Sequence, residues 1–155
     1  MALPLVLQEI RSSWNGAPVR PEDAEDLAIL LYAAYRGTID DDGETFADAT
    51  AEIDKTFANA YGPFLPNASF LIRGNEFIRS ACLISWYEPT ESPFVVFMMT
   101  RPEFKGQGMG RFLLQTAINH LLDAGHTTLS LIVTAGNTPA QRLYHALGFV
   151  PLETK

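Results

Sequence analysis

Cysteine is nearly absent. Cys82 is the one cysteine among 155 residues, so no disulfide can close within the chain, and a reducing, cytoplasmic setting is expected. Its surroundings, Ala81-Cys82-Leu83-Ile84, are apolar, which suits a small core residue better than a reactive thiol. Histidine is equally sparse: His120, His126 and His145 are scattered at no spacing that would hold a metal, and surface positions are expected for all of them. A G-x-S-x-G elbow is missing, which excludes the common serine-hydrolase layout. The acidic run Asp40-Asp41-Asp42-Gly43-Glu44 lacks the terminal glutamate of a calcium loop, because Ala49 falls at that place when Thr38 is position one. No metal is expected. Basic residues are outnumbered, 11 Lys and Arg against 18 Asp and Glu, for a net charge of −7. That balance leaves no basic face for a nucleic acid and suits a cationic partner such as an amine. Long apolar runs are missing as well. Residues 94–99 fall far short of the roughly 20 needed to cross a bilayer, and residues 1–7 are too short and lack the basic flank of a signal peptide. No membrane partner is expected.

What is present fits one domain over residues 1–155, with 47% hydrophobic residues for its core. Residues 5–10 read as a short strand. Pro21, with Glu22 and Asp23 beside it, opens a first helix, and Leu27, Leu30, Leu31, Ala34 and Tyr35 keep helical spacing up to Gly37. A second helix is predicted over residues 45–60, with Phe46, Ala49, Ile53, Phe57 and Ala60 as its buried stripe. Strands follow at 69–73 and 77–87, joined by Gly74-Asn75 as a two-residue hairpin. The apolar run 94–99 reads as a central strand buried on both faces. A helix to about Ala124 shows one face through Gly110, Leu113, Leu114, Ala117, Ile118 and Leu121, with Gly125 at its C-terminal end. A strand at 127–134 completes a right-handed crossover between neighbouring parallel strands. Thr138-Pro139-Ala140-Gln141 matches a capping box with proline at the first helical position, Gly148 closes that helix, and residues 149–152 begin a last strand.

Between the strand at 94–99 and its helix lie three alternating glycines, Gly106, Gly108 and Gly110, flanked by Lys105 and Arg111. A helix's first turn carries N–H groups with no internal partner and the positive end of its dipole. Without side chains in the way, an anion can approach that backbone closely. The run is a diphosphate cradle by this reading. The spacing is not the G-x-G-x-x-G of a dinucleotide fold, nor the G-x-x-x-x-G-K-[ST] of a nucleoside-triphosphate loop.

Lys105-Gly106-Gln107-Gly108-Met109-Gly110 resembles the [QR]-x-x-G-x-[GA] signature of the GNAT superfamily of N-acetyltransferases, with lysine where arginine or glutamine is usual; the charge stays and the guanidinium fork is lost. Residues 137–149, from Asn137 through Ala140, Leu143, Tyr144 and Gly148 to Phe149, are similar to that family's N-x-x-A-x-x-L-Y-x-x-x-G-F. The resemblance covers residues of about 94–150. It implies an α/β fold with a mixed, mostly antiparallel sheet, a splayed parallel strand pair and about four flanking helices. It further implies acetyl-CoA as cosubstrate and an amine, small-molecule or peptide, as acceptor. Lys105, Gly106, Gln107, Gly108, Met109, Gly110 and Arg111 would take the pyrophosphate. The pantetheine arm would pair with the strand end at Met98, Met99 and Thr100. Asn137 would touch that arm or hold the splay, and Ala140 would be small so that the arm can pass. The family pattern continues further after Gly-Phe than this chain does, which implies a shortened C-terminal strand and a sheet edge needing cover, either from a second copy in a homodimer or from residues 5–10.

Amide formation needs a neutral amine, so its proton (free pKa ~10) must go to an acceptor. The oxyanion needs an N–H donor, which the strand splay would supply, and the departing thiolate (pKa ~8.5) benefits from a proton. The resemblance gives Tyr144 the role of that acid, while the spacing of Ala140, Leu143, Tyr144 and Leu147 equally suits a core aromatic. For the base, Glu88 is the candidate, with Glu91 or a water chain as alternatives; Glu103 reads as a surface acid. A non-catalytic acyl-CoA-binding module remains the alternative to an enzyme.

Overall fold

The computed structural model describes residues 1–38, 41–133 and 136–150. Among the described residues six strands make one sheet: β1 (Ala2–Pro4), β2 (Ala17–Pro18), β3 (Phe70–Arg73), β4 (Ile78–Tyr87), β5 (Ser92–Thr100) and β6 (Thr128–Leu131), in the order β1-β6-β5-β4-β3-β2. β5 and β6 run parallel and the other neighbours antiparallel. Four α-helices of the described residues flank it: α1 (Ala24–Tyr35), α2 (Phe46–Phe57), α3 (Met109–Asp123) and α4 (Thr138–Leu147). The expected mixed, mostly antiparallel α/β fold is the one observed.

Alternation along β4 divides the core into two layers. Cys82 and Ile84 point to the layer shared with α3 and α4, whereas Ala81 and Leu83 point to the layer shared with α1 and α2. Ser80, Ala81, Cys82, Leu83, Ile84 and Ser85 are all fully buried. The strand covered on both faces is therefore β4 and not β5. β5 buries Val95 and Met99 but leaves Phe94, Val96, Phe97 and Met98 half-buried. The reason lies in the register: β6 pairs with β5 only at Phe94↔Ser130 and Val95↔Leu131. From Val96 to the end of β5 the ladder to β6 is open, and Ile132, just after β6, is 81% exposed. This is the splay expected of the parallel pair. On the other side of β5 the register shifts between Leu83 and Ile84, opposite Phe97 and Val95, so Val96 is the extra residue of a bulge.

Several local expectations shift. The N-terminal strand is Ala2–Pro4 and not residues 5–10; the pairing ends with Leu5 N–H on the Thr127 carbonyl at 2.8 Å. Beyond it, Gln8 exchanges hydrogen bonds with the Asn119 carboxamide on α3, which imitates a peptide partner (2.8 and 3.0 Å). Short as it is, β1 covers the β6 edge, and Val150 bridges to Ala2 on its far side. The β3–β4 connection takes four residues, 74–77, closed by Gly74 N–H to Phe77 O at 2.8 Å; the register slips between Ile72 and Arg73, and Arg79 is the extra residue. α2 ends at Phe57, with Thr56 in its buried stripe and Phe46 43% exposed, since Phe46 lies edge-on to Tyr32 at the rim. α4 is capped one residue earlier than expected, by Asn137, whose Oδ1 accepts from Ala140 N–H at 3.3 Å, and proline sits at its second position. Of the histidines, His120 and His145 are exposed and His126 is half-buried against Trp86. The expectations for Asp40, Thr134, Pro151 and Leu152 fall outside the described residues.

Candidate active site

Why α3 begins where it does sets the site. Gly106 and Gly108 have φ of +80° and +83°, left-handed values that a side chain resists. Gly108 is the N-cap of α3 and gives its carbonyl to Phe112 N–H at 3.0 Å, so the N–H groups of Met109, Gly110 and Arg111 form the open first turn of a 15-residue helix. A Cβ at Gly106 or Gly108 would meet nothing within 4 Å, so both backbones face open space. A Cβ at Gly110 would touch Leu143 and Met98 at 3.5 and 3.6 Å. The third position thus packs at ordinary contact distance on α4 and β5, while the first two glycines keep the mouth clear.

Two cavities meet beside this turn. One, of about 530 Å³, is lined by the turn itself (Lys105, Gly106, Gly108, Gly110, Arg111), by Met98 and Thr100 of β5, and by the face of α4 that carries Asn137, Ala140 and Tyr144. The other, of about 640 Å³, lies between α1, α2 and the splayed ends of β5 and β6. Tyr35, Met98, Asn137, Ala140 and Tyr144 line both. Met98 lies on the stretch of β5 where its pairing with β6 has ended, so the splay borders the place where the cavities meet.

The candidate residues are not all brought together. Met99 is 1% exposed and packs in the α1–α2 layer, and Met109, also 1% exposed, packs in the α3–α4 layer; neither side chain lines a cavity, so only their backbones are placed to contribute. Gln107 lines neither cavity and turns its carbonyl to the Trp14 indole at 3.1 Å. Tyr144 is 7% exposed, stacked edge-on against Phe149 at 5.7 Å, and still borders both cavities; the core and site positions coincide. Glu88 lies in a short turn after β4, accepts from the Trp86 indole at 3.1 Å, and borders neither cavity. Glu91 follows it in a left-handed turn, and Glu103 pairs with Arg101 at 2.7 Å.

The larger cavity carries a negative wall where the family resemblance puts the acidic run that includes Asp41 and Glu44, and Asp48 and Glu52 of α2 join it from outside that expectation. Asp41, Glu44, Asp48 and Glu52 line it, against Arg36 and Lys55. Asp41 accepts from Gly37 and Gly43 N–H at 2.7 and 2.9 Å, and these bonds hold its carboxyl below the ordinary value. Asp48 is fixed by a reciprocal cap with Thr45, at 2.8 and 3.2 Å. Glu52 accepts from the Tyr61 hydroxyl, which is pushed up to about 12, first by that hydrogen bond. Helical spacing would have revealed the α2 part of it: Asp48, Glu52 and Lys55 follow i, i+4, i+7 along a face beside the buried stripe of Ala49 and Ile53. Tyr32 and Tyr35 were hidden for the opposite reason, since they continue the apolar stripe of α1. Burial pushes the Cys82 thiol up to about 12, which makes it a poor nucleophile. Among the described residues, no group of three His, Cys, Asp or Glu could hold a metal ion, and no helix is long and apolar enough to cross a membrane.

Comparison with known proteins agrees with this geometry. Residues 24–149 match the family model described as "Acetyltransferase (GNAT) family". A mycothiol acetyltransferase of Nocardiopsis dassonvillei is 40% identical over 67 residues, which are 43% of this chain and 20% of that protein. The chain spans about half or less of the length of the curated relatives it matches. Among solved structures, the ribosomal-protein-S18-alanine N-acetyltransferase of Escherichia coli superposes with a TM-score of 0.68 at 23% identity, covering 90% of this chain and 79% of the other. A GNAT family acetyltransferase of Brucella melitensis, solved with acetyl-CoA, gives 0.67 at 19% identity, covering 88% and 82%. At such identities the structures speak for the fold alone, whereas the family model spans the glycine turn, the splay and the Asn137–Phe149 segment together. The chain belongs to the acetyltransferase (GNAT) family.

Proposed function

We propose that this chain transfers an acetyl group from acetyl-CoA to an amine, with the cosubstrate in the smaller cavity and the acceptor in the larger. One observation carries the reading: the two cavities meet at Met98, Asn137, Ala140 and Tyr144. The amides of the glycine turn and the flanking Lys105 and Arg111 would hold the diphosphate. The open backbone at Met98, Met99 and Thr100 would pair with the pantetheine amides. Ala140, with only a methyl group, leaves room for the arm to reach the junction. Bound there, acetyl-CoA supplies an activated carbonyl. The amine nitrogen attacks this carbon, a C–N bond forms, the C–S bond breaks, and a backbone N–H of the splayed strand would stabilise the oxyanion. Tyr144, at the junction, would give the leaving sulfur its proton.

The negative wall favours a cationic acceptor, since its four carboxylates outnumber the two cations Arg36 and Lys55 in the lining, the latter paired with Glu52 at 3.7 Å. Those carboxylates, with water between, are better placed than Glu88 to take the proton of the attacking amine. The lone, buried cysteine suits a reducing, cytoplasmic setting. The direct test is acetyl-CoA with a panel of mono- and polyamines, following release of free CoA thiol. Turnover on cationic amines is expected. Tight CoA binding with no turnover on any amine would turn the reading to a binding module.

A further inference from the structure

The segment before β2 lies along α3. Gln8 is tied to Asn119 by two hydrogen bonds and to Gln115 by a third at 3.3 Å. Further on, Gly16 passes so close to the first turn of α3 that a Cβ there would meet the Phe112 ring at 3.1 Å. Between these points Trp14 packs partly buried on the core and donates its indole N–H to the Gln107 carbonyl at 3.1 Å. Gln107 stands in the middle of the glycine turn.

The consequence follows from peptide geometry. In a trans peptide the C=O and the next N–H point to opposite sides of the chain. Fixing the Gln107 carbonyl towards Trp14 therefore turns the Gly108 N–H the other way. The cavity lies on that side: Gly106 and Gly108 line it, and Gln107 does not. Gly108, on one side of this peptide, has left-handed φ and no side chain to hold the plane. Without a partner for its carbonyl the peptide could rotate and present an acceptor oxygen to the anion.

We propose that Trp14 is a positioning residue for the diphosphate: its indole N–H locks the Gln107–Gly108 peptide with the amide facing the cavity. This rests on the turn being the acyl-CoA diphosphate site. The ligand class affected is the diphosphate half of the cosubstrate, so the effect must depend on its presence.

Trp14→Phe, which keeps an aromatic ring and removes the donor, tests it with two thioesters: acetyl-CoA and S-acetylpantetheine, which has no diphosphate. For acetyl-CoA, KM and Kd are expected to rise about tenfold, as for loss of one neutral hydrogen bond plus a misturned acceptor, with kcat within about twofold. For S-acetylpantetheine, kcat/KM should not change. Equal losses on both thioesters would make Trp14 a merely structural residue and overturn the proposal, as would unchanged affinity for acetyl-CoA. Should Trp14→Phe fail to fold, the indole N–H resonance of Trp14 in the parent protein decides: a shift on saturation with CoA and none with pantetheine supports the lock, and equal response to both overturns it. A parent protein that binds no CoA at all would remove the acyl-CoA reading itself, an outcome distinct from a parent that binds and a variant that binds equally well.

Discussion

Tyr144 satisfies two demands at one position. Its ring fills the α3–α4 layer beside Phe149, and its edge borders the meeting of the two cavities. Replacing it with phenylalanine keeps the ring and removes the proton. Turnover of acetyl-CoA is expected to fall about 100-fold, the lower end for loss of a general acid, with CoA affinity within about twofold by calorimetry. Unchanged turnover would return Tyr144 to a packing role. Tyr61 allows a test of sign. Its hydroxyl is pushed up to about 12 by the bond to Glu52, so the folded state favours the protonated form. Its contribution is complete below the unfolded value of about 10 and is lost as pH rises through about 12. The stability gap between the parent and Tyr61→Phe, read from urea midpoints, should stay constant below pH 10 and close between about 10 and 12.

At the level of single elements, the mouth of α3 and the return before β3 make opposite uses of glycine. Gly108→Asp meets no steric barrier, since a Cβ there touches nothing within 4 Å. It would cost the fold about 1–2 kcal/mol for the left-handed backbone and set a carboxylate against the diphosphate. Two unit charges about 4 Å apart near a surface repel by about 4 kcal/mol, so CoA affinity should fall at least about 100-fold while the protein still folds. Gly62 is the contrary case. Its φ is +100° and a Cβ would lie 1.8 Å from the Trp86 carbonyl oxygen. That carbonyl belongs to β4, whose Trp86 N–H is bonded to Pro63 O at 2.8 Å, so it cannot move aside. Gly62→Ala should lower stability by about 3 kcal/mol, visible as a lower thermal midpoint, and a variant as stable as the parent would contradict the packing described.

Over the whole molecule, charge and architecture divide the work. The chain is acidic, yet the cations Lys105 and Arg111 flank the smaller cavity and the acids Asp41, Glu44, Asp48 and Glu52 gather at the larger. A polyanion and a polycation would thus be steered to different openings of one groove. Screening exposes such steering: with a polyamine acceptor, raising salt from about 50 to 500 mM shortens the Debye length to a few ångströms. The acceptor KM should then rise several-fold, while that of a singly charged amine changes little. The same rise for both acceptors would deny the wall a role.

What the residue order determined alone was local. Alternating glycines at a helix start, the helical stripe of α1, and the Asn137–Phe149 segment follow from neighbours within a turn or two, where backbone freedom and period suffice. The crossover from β5 through α3 to β6 was legible for the same reason. The rest needed the chain folded back on itself. Which strand is buried on both faces depended on how far β6 follows β5, a register between segments some 35 residues apart. That residues 2–4 lie along the β6 edge depended on their arriving there from the other end of the sequence. Trp14 reaching Gln107, and α2 turning its acids toward the splay, are likewise contacts across long loops. Local sequence fixes conformation through steric and hydrogen-bond preferences that decay within a few residues, while a site is made by distant surfaces whose meeting is decided only when the whole core packs.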